Sequence, residues 1–170
     1  RTYGVIQEAM LEGAKSARGQ ELAAAWRAKH AKKSDTELVR ESWALVAAGG
    51  NLTAVGQLFY ETLFGMSPEL PTTLFRGVDV KTQSQKLMAM IDGAVKLLDK
   101  PEALVPVLTT LGERHAGYGV VASNYPVVGE ALIATLRKGL GEKLTEAAKA
   151  AWVRTYGVIQ EAMLEGAKSA

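Results

Sequence analysis

The chain contains no cysteine and only two histidines. Without thiols there is no disulfide, no cysteine nucleophile and no thiolate-ligated zinc, iron–sulfur or haem site. Any metal must be held by histidine, carboxylate or another oxygen or sulfur donor. Also missing is an apolar run approaching the ~20 residues that span a bilayer, so no membrane span is expected. The opening residues RTYGVIQEAM carry charge and glutamine where a signal peptide needs an apolar stretch and a cleavage site. A cytoplasmic protein is therefore expected, and the absence of an initiating methionine is what a fragment would show.

Strong charge of one sign is lacking too. The net charge of +2 is too small to imply nucleic-acid binding. Most of the excess lies in RGQELAAAWRAKHAKK, residues 18–33, where five Lys and Arg face Glu21 alone. An alanine-rich segment with a few charges reads as a solvated connector, and no nucleic-acid partner is expected. No glycine-rich phosphate loop follows a strand, and no His–Glu pair has the spacing of a zinc protease.

What is present is ordinary for a globular protein: 170 residues, 48% apolar and 22% charged, enough for one domain with a sizeable core. One feature is not ordinary. RTYGVIQEAMLEGAKSA at 1–17 recurs without a mismatch at 154–170, an offset of 153 residues. Low complexity does not explain a match that includes Tyr3, Gln7 and Met10, so either a unit of that length is repeated in tandem or an end has been duplicated. A tandem array is the expectation. Residues 1–17 then copy the terminal helix of a preceding unit, 18–33 are a basic connector, and 34–170 form one complete domain. Val5, Ile6, Met10 and Leu11 recur at helical spacing, so this copy should be helical through Ala23 to Ala25.

Signals for strands are scarce and those for helices recur. Ser34 with Glu37 forms a candidate capping box for a helix to about Ala48. After the break GGN at 49–51, Leu52, Val55, Leu58, Phe59, Leu63 and Phe64 take helical spacing, and Ser67–Pro68 opens a short turn that Pro71 limits. A helix over 81–98 carries the stripe Leu87, Met88, Ile91, Val95 and Leu98, and Pro101 starts the next. That one aligns Leu104, Leu108, Leu111 and His115 on one inward face before Gly117 and Gly119. Ser123 or Asn124 should cap a helix to Leu140, and a last helix should cover 144–168. The domain is therefore all-α, with about seven helices of short and medium length.

Taken alone, an inward histidine such as His115 is more often a hydrogen-bonded core residue than a metal ligand. Five ordered stretches carry a stronger signal: LFYETLF with SPEL at 58–70, SQKLM at 84–88, LGERHAGYGV at 111–120, YPVVGEAL at 125–132 and EAAKAAWVRTYGV at 146–158. In these the chain resembles the globins, of the bacterial single-domain type and of the globin part of flavohaemoglobins, over essentially all of 34–170. The resemblance implies a globin fold of about seven helices around a haem pocket, with the extra N-terminal helix or connector before it.

It further implies that His115 is the iron ligand, that Phe75 wedges against the haem, that Tyr60 and Gln83 are distal hydrogen-bond donors, and that Leu87 packs over the iron. Tyr125 matches a tyrosine that braces the proximal histidine. The glutamate expected with it falls near Ala167; Glu161 and Glu165 stand elsewhere, so no proximal triad is expected. The implied cofactor is haem b, held noncovalently. The implied function is reversible binding of oxygen, for storage, transport or sensing, and the other ligands are nitric oxide and carbon monoxide. Nitric oxide dioxygenation is the enzymatic alternative and would need an external reductase. His30, in the connector, is expected to be solvated.

Overall fold

The computed structural model describes residues 16–170 apart from Ala31, with the backbone alone for residues 28–30. The first repeat copy thus lies almost wholly outside the described residues, as does the side chain of His30. The chain divides into two units, meeting between Lys33 and Ser34. In the first, α1 spans Ala17–His30, its start capped by the Ser16 hydroxyl, which accepts from the Gly19 amide at 3.0 Å.

The second unit, Ser34–Ala170, is built from α2 (Asp35–Ala48), α3 (Leu52–Met66), α4 (Val80–Lys96), α5 (Pro101–Gly117), α6 (Asn124–Leu140) and α7 (Glu146–Ala167), with 3-10 turns at Leu70–Thr72 and Gly141–Lys143. This is an all-α globin fold. Among the described residues no helix is long and apolar enough to cross a membrane.

Short polar side chains start these helices by satisfying amides that have no partner within the helix. Ser34 accepts from Glu37 N at 3.2 Å, Asn51 from Ala54 N at 3.0 Å, Asp79 from Thr82 N at 3.2 Å and Thr145 from Ala148 N at 3.1 Å. The start of α6 differs from expectation: Ser123 makes no capping bond, and the Asn124 side chain instead accepts from Val121 N at 2.8 Å, closing the turn before the helix. Gly117 still belongs to α5, and the reversal comes at Gly119, whose φ of 94° suits glycine.

Two tryptophans knit α2, α4 and α7. Trp43 and Trp152 stand 6.3 Å apart between ring centres; Trp152 Nε1 donates to the buried Ser42 hydroxyl at 2.7 Å and Trp43 Nε1 to Asp92 at 3.1 Å. Around them Val39, Met88, Val95, Leu136, Ala148 and Ala151 are buried, each large side chain being worth roughly 1.5–3 kcal/mol.

The closest approach in the unit is between α5 and α7. A Cβ placed on Gly112 would stand 1.8 Å from the Met163 carbonyl oxygen, and one on Gly166 would stand 1.9 Å from that of Thr109. No side chain fits there, so the two backbones touch. By contrast α4 and α5, consecutive in the chain, are absent from the closely packed helix pairs. The helix bearing His115 is thus held mainly by α7, and meets α4 through Ala94, which packs on the cluster around Leu104 and Leu108.

Two glycine substitutions should therefore act in opposite directions. Gly112→Ala forces backbone apart and should cost about 1–3 kcal/mol. Gly93→Ala, at an α4 position with nothing within 4 Å of the new Cβ, should be neutral or stabilise by up to about 1 kcal/mol. Urea unfolding of both variants checks this, and equal effects would contradict the contact.

Candidate functional site

Tyr60 leaves α3 into an aromatic enclosure and is 4% exposed. Its ring centre lies 5.1 Å from Phe59, 5.8 Å from Phe64 and 5.5 Å from Phe75, the contacts with Phe59 and Phe75 being edge-to-face, the arrangement that ring quadrupoles favour. Burial in this apolar box pushes the phenol above its ordinary pKa, and a side-chain hydrogen bond with Gln83 offsets part of the rise. The hydroxyl accordingly keeps its proton at neutral pH and remains a donor. Gln83 stands in the first turn of α4, and Leu87, one turn further on, packs against the same cluster as Tyr60 and Phe75.

His115 is near the end of α5 and half-buried. Its Nδ1 lies 2.8 Å from the Leu111 carbonyl oxygen, one turn back. A carbonyl can only accept, so Nδ1 carries the hydrogen and a neutral ring keeps its lone pair on Nε2. Among the described residues no group of three or more His, Asp or Glu gathers to hold a metal. A metal at His115 would have to bring most of its other ligands with it, as the iron of a macrocycle does.

A cleft of about 480 Å³ opens between α4 and α5, lined by Met90 from the former and by Pro106, Val107, Thr110, Leu111 and Arg114 from the latter. It shares Leu111 with the His115 hydrogen bond, while Met90, Pro106, Val107, Thr110 and Arg114 are exposed and none of the sequence-derived site residues lines it. Apolar residues that line neither core fully, among them Leu87, Ile91, Leu98 and Leu111, are half-buried.

The sequence-derived candidates thus fall into two groups. Tyr60, Phe75, Gln83 and Leu87 come together on the α3–α4 side. His115 and Tyr125 belong to the other side, where Tyr125 is buried with Leu104, Leu108 and Met163. The structure draws His115 Nδ1 to a backbone carbonyl and not to the Tyr125 hydroxyl. Neither Glu161 nor Glu165 is bonded to the histidine: Glu161 is exposed, and Glu165 pairs with Lys168 at 3.1 Å.

Tyr156 was not singled out from the sequence. Its hydroxyl donates to the Tyr125 carbonyl, its ring covers Gly129, where any Cβ would collide with it, and burial raises its pKa. The signal available was that Gly129 and Tyr156 each lie inside a stretch that carries the resemblance.

The globin family model matches residues 60–163, a span that begins at Tyr60 and includes His115. A flavohemoprotein from Chromobacterium violaceum is 33% identical over 107 residues, covering 62% of this chain but only 26% of that protein, so the chain spans about a quarter of that relative's length. A neuroglobin from Chaenocephalus aceratus is 32% identical over 147 residues, covering 79% of this chain and 91% of the neuroglobin. Among solved structures, a hexacoordinated heme protein from an anhydrobiotic tardigrade superposes with a TM-score of 0.69 at 19% identity, over 82% of this chain and 97% of that one, a likeness of fold. With a family match across both sides of the cleft and a full-length relative at this identity, the chain belongs to the globin family.

Proposed function

We propose that this chain binds haem through His115 and uses it for the reversible binding of a diatomic gas, oxygen first, in storage, transport or sensing. The observation that carries the reading is the hydrogen bond from His115 Nδ1 to the Leu111 carbonyl, which fixes the ring and leaves Nε2 as a free lone pair. The residues fit the group: one histidine ligand on α5 and, on the α3–α4 side, an apolar cluster that includes Tyr60, Phe64, Phe75 and Leu87. Haem supplies the iron site at which the gas is held, and without cysteine in the chain it is a noncovalent b-type haem.

The side chains do the rest. Tyr60 presents an O–H and Gln83 an amide N–H, and a diatomic ligand that gains negative charge on binding is stabilised by such polarised hydrogen bonds. Phe75 meets the Tyr60 ring edge-to-face and Phe64 packs on it at a tilt, so the ring is enclosed by apolar surface. Leu87 limits access with an apolar surface. His115 is the sole histidine of residues 34–170, so no second imidazole from these residues competes for the iron. Its partner is a neutral carbonyl, not a carboxylate, which favours holding a ligand over a strong push of electrons toward it.

Nitric oxide dioxygenation is the second reading, favoured by the same Tyr60–Gln83 pair. Carbon monoxide would bind the same pocket. Turnover would need the iron to be reduced again, and an external reductase is the partner proposed for it. The repeat supports reading 34–170 as one globin unit, 18–33 as the connector, and 1–17 as a copy of the preceding unit's terminal helix, with neighbouring globin units as covalent partners.

Losing a hydrogen bond to a charged group removes about 1.5–3 kcal/mol. Tyr60→Phe should therefore speed oxygen dissociation by roughly ten- to a hundredfold, and Gln83→Leu by as much or less. Stopped-flow measurement reads both, and unchanged rates in the two variants would argue against the distal pair. Mixing the oxygenated protein with nitric oxide and a cellular reductase should give one stoichiometric oxidation followed by slow recovery. Sustained turnover would favour the dioxygenase instead.

A further inference from the structure

The second half of α7 fills a groove that nothing bulkier could enter. Gly166 meets the Thr109 backbone and Met163 the Gly112 backbone, Ile159 and Leu164 pack on the cluster around Leu104 and Tyr125, and Tyr156 bonds the Tyr125 carbonyl. At its beginning Arg154 holds Asp35 through two hydrogen bonds of 2.8 and 2.9 Å. Every one of these groups lies within 154–170, and every one recurs at 1–17, as Arg1, Tyr3, Ile6, Met10, Leu11 and Gly13.

From this identity we infer that residues 1–17 are a second occupant of the same groove and seat in another copy of this globin unit, closing it in place of that copy's own 154–170. The partner is a second copy of this chain. Identical side chains on an identical helical spacing make the same contacts with any surface that accepts the first set, including two contacts that tolerate only glycine at one position. Within one molecule the groove is already filled by a segment continuous with α7, so the vacancy that residues 1–17 can fill arises in a copy whose own segment has withdrawn. Trp152 and Ala151, which anchor the first half of α7 in the core, lie outside the repeat, so the exchange point falls between Val153 and Arg154. The inference rests on the fold and the repeat, and is independent of haem.

The test uses full-length chains in which one occupant is disabled. Ile159→Pro with Gly166→Val breaks α7 in its interior and blocks its close contact. That variant should keep its helical circular dichroism and sediment at twice the monomer mass, two chains each lending residues 1–17 to the other. Ile6→Pro with Gly13→Val should remain monomeric and folded. Combining all four substitutions should lose helical signal, and a peptide of residues 1–17 should restore it saturably, whereas the same peptide with Gly13→Val should not. A folded monomer for the first variant, a loss of structure equal to that of the fourfold variant, or no response of the fourfold variant to the peptide would each overturn the inference.

Discussion

The close crossing of α5 on α7 is the constraint on which the rest depends. Gly112 and Gly166 remove the two side chains that would hold these backbones apart, and contact at that distance fixes the position of α5 more tightly than interdigitated side chains would. α5 meets α4 less closely, through Ala94, which packs with Leu98 on the cluster around Leu104 and Leu108. An apolar opening between well-held elements ordinarily collapses or becomes a binding site. Of the lining of the α4–α5 cleft only Leu111 is half-buried, and the one histidine of the domain stands a turn further along α5.

The chemistry follows from what each wall can offer. The α5 side offers a lone pair, because the Leu111 carbonyl takes the hydrogen of the other ring nitrogen. The α3–α4 side offers donors, because burial keeps the Tyr60 phenol protonated and Gln83 stands beside it. On the proposed reading, a lone pair from His115 and donors from Tyr60 and Gln83 would suit a ligand that is bound by a metal and polarised away from it. No cluster of acidic side chains among the described residues competes for that metal. Tyr156 and Gly129 add a support that tethers α6 to α7 and so holds the Tyr125 end of the wall.

Much of this was legible in the sequence where the cause is local. Ser34 announces a helix start because a short side chain reaches an amide three residues on, and the spacing from Leu104 to His115 reveals one face of α5; the caps Asn51 and Thr145 emerge only in the structure. Asn124 misleads, since its amide serves the turn behind it, not the helix ahead. Long-range causes were harder to read. Gly112 in mid-helix looks like a weakness until the Met163 backbone is placed against it, and Pro106 sits inside α5 without ending it. The bond from Tyr156 to Tyr125 joins residues 31 apart, which periodicity cannot register. Of the site, the grouping of Tyr60, Gln83 and Leu87 came from resemblance, and the state of the His115 ring came only from the structure.

The central claim is that His115 Nε2 is the protein's ligand to haem iron, and titration of the purified chain with haem, followed by visible absorption, tests it most directly. One haem per chain should bind with a five-coordinate ferrous spectrum; His115→Gly should lose that spectrum, and added imidazole should restore it. A Soret band unchanged in His115→Gly, or no stoichiometric binding by the unaltered chain, would contradict the account.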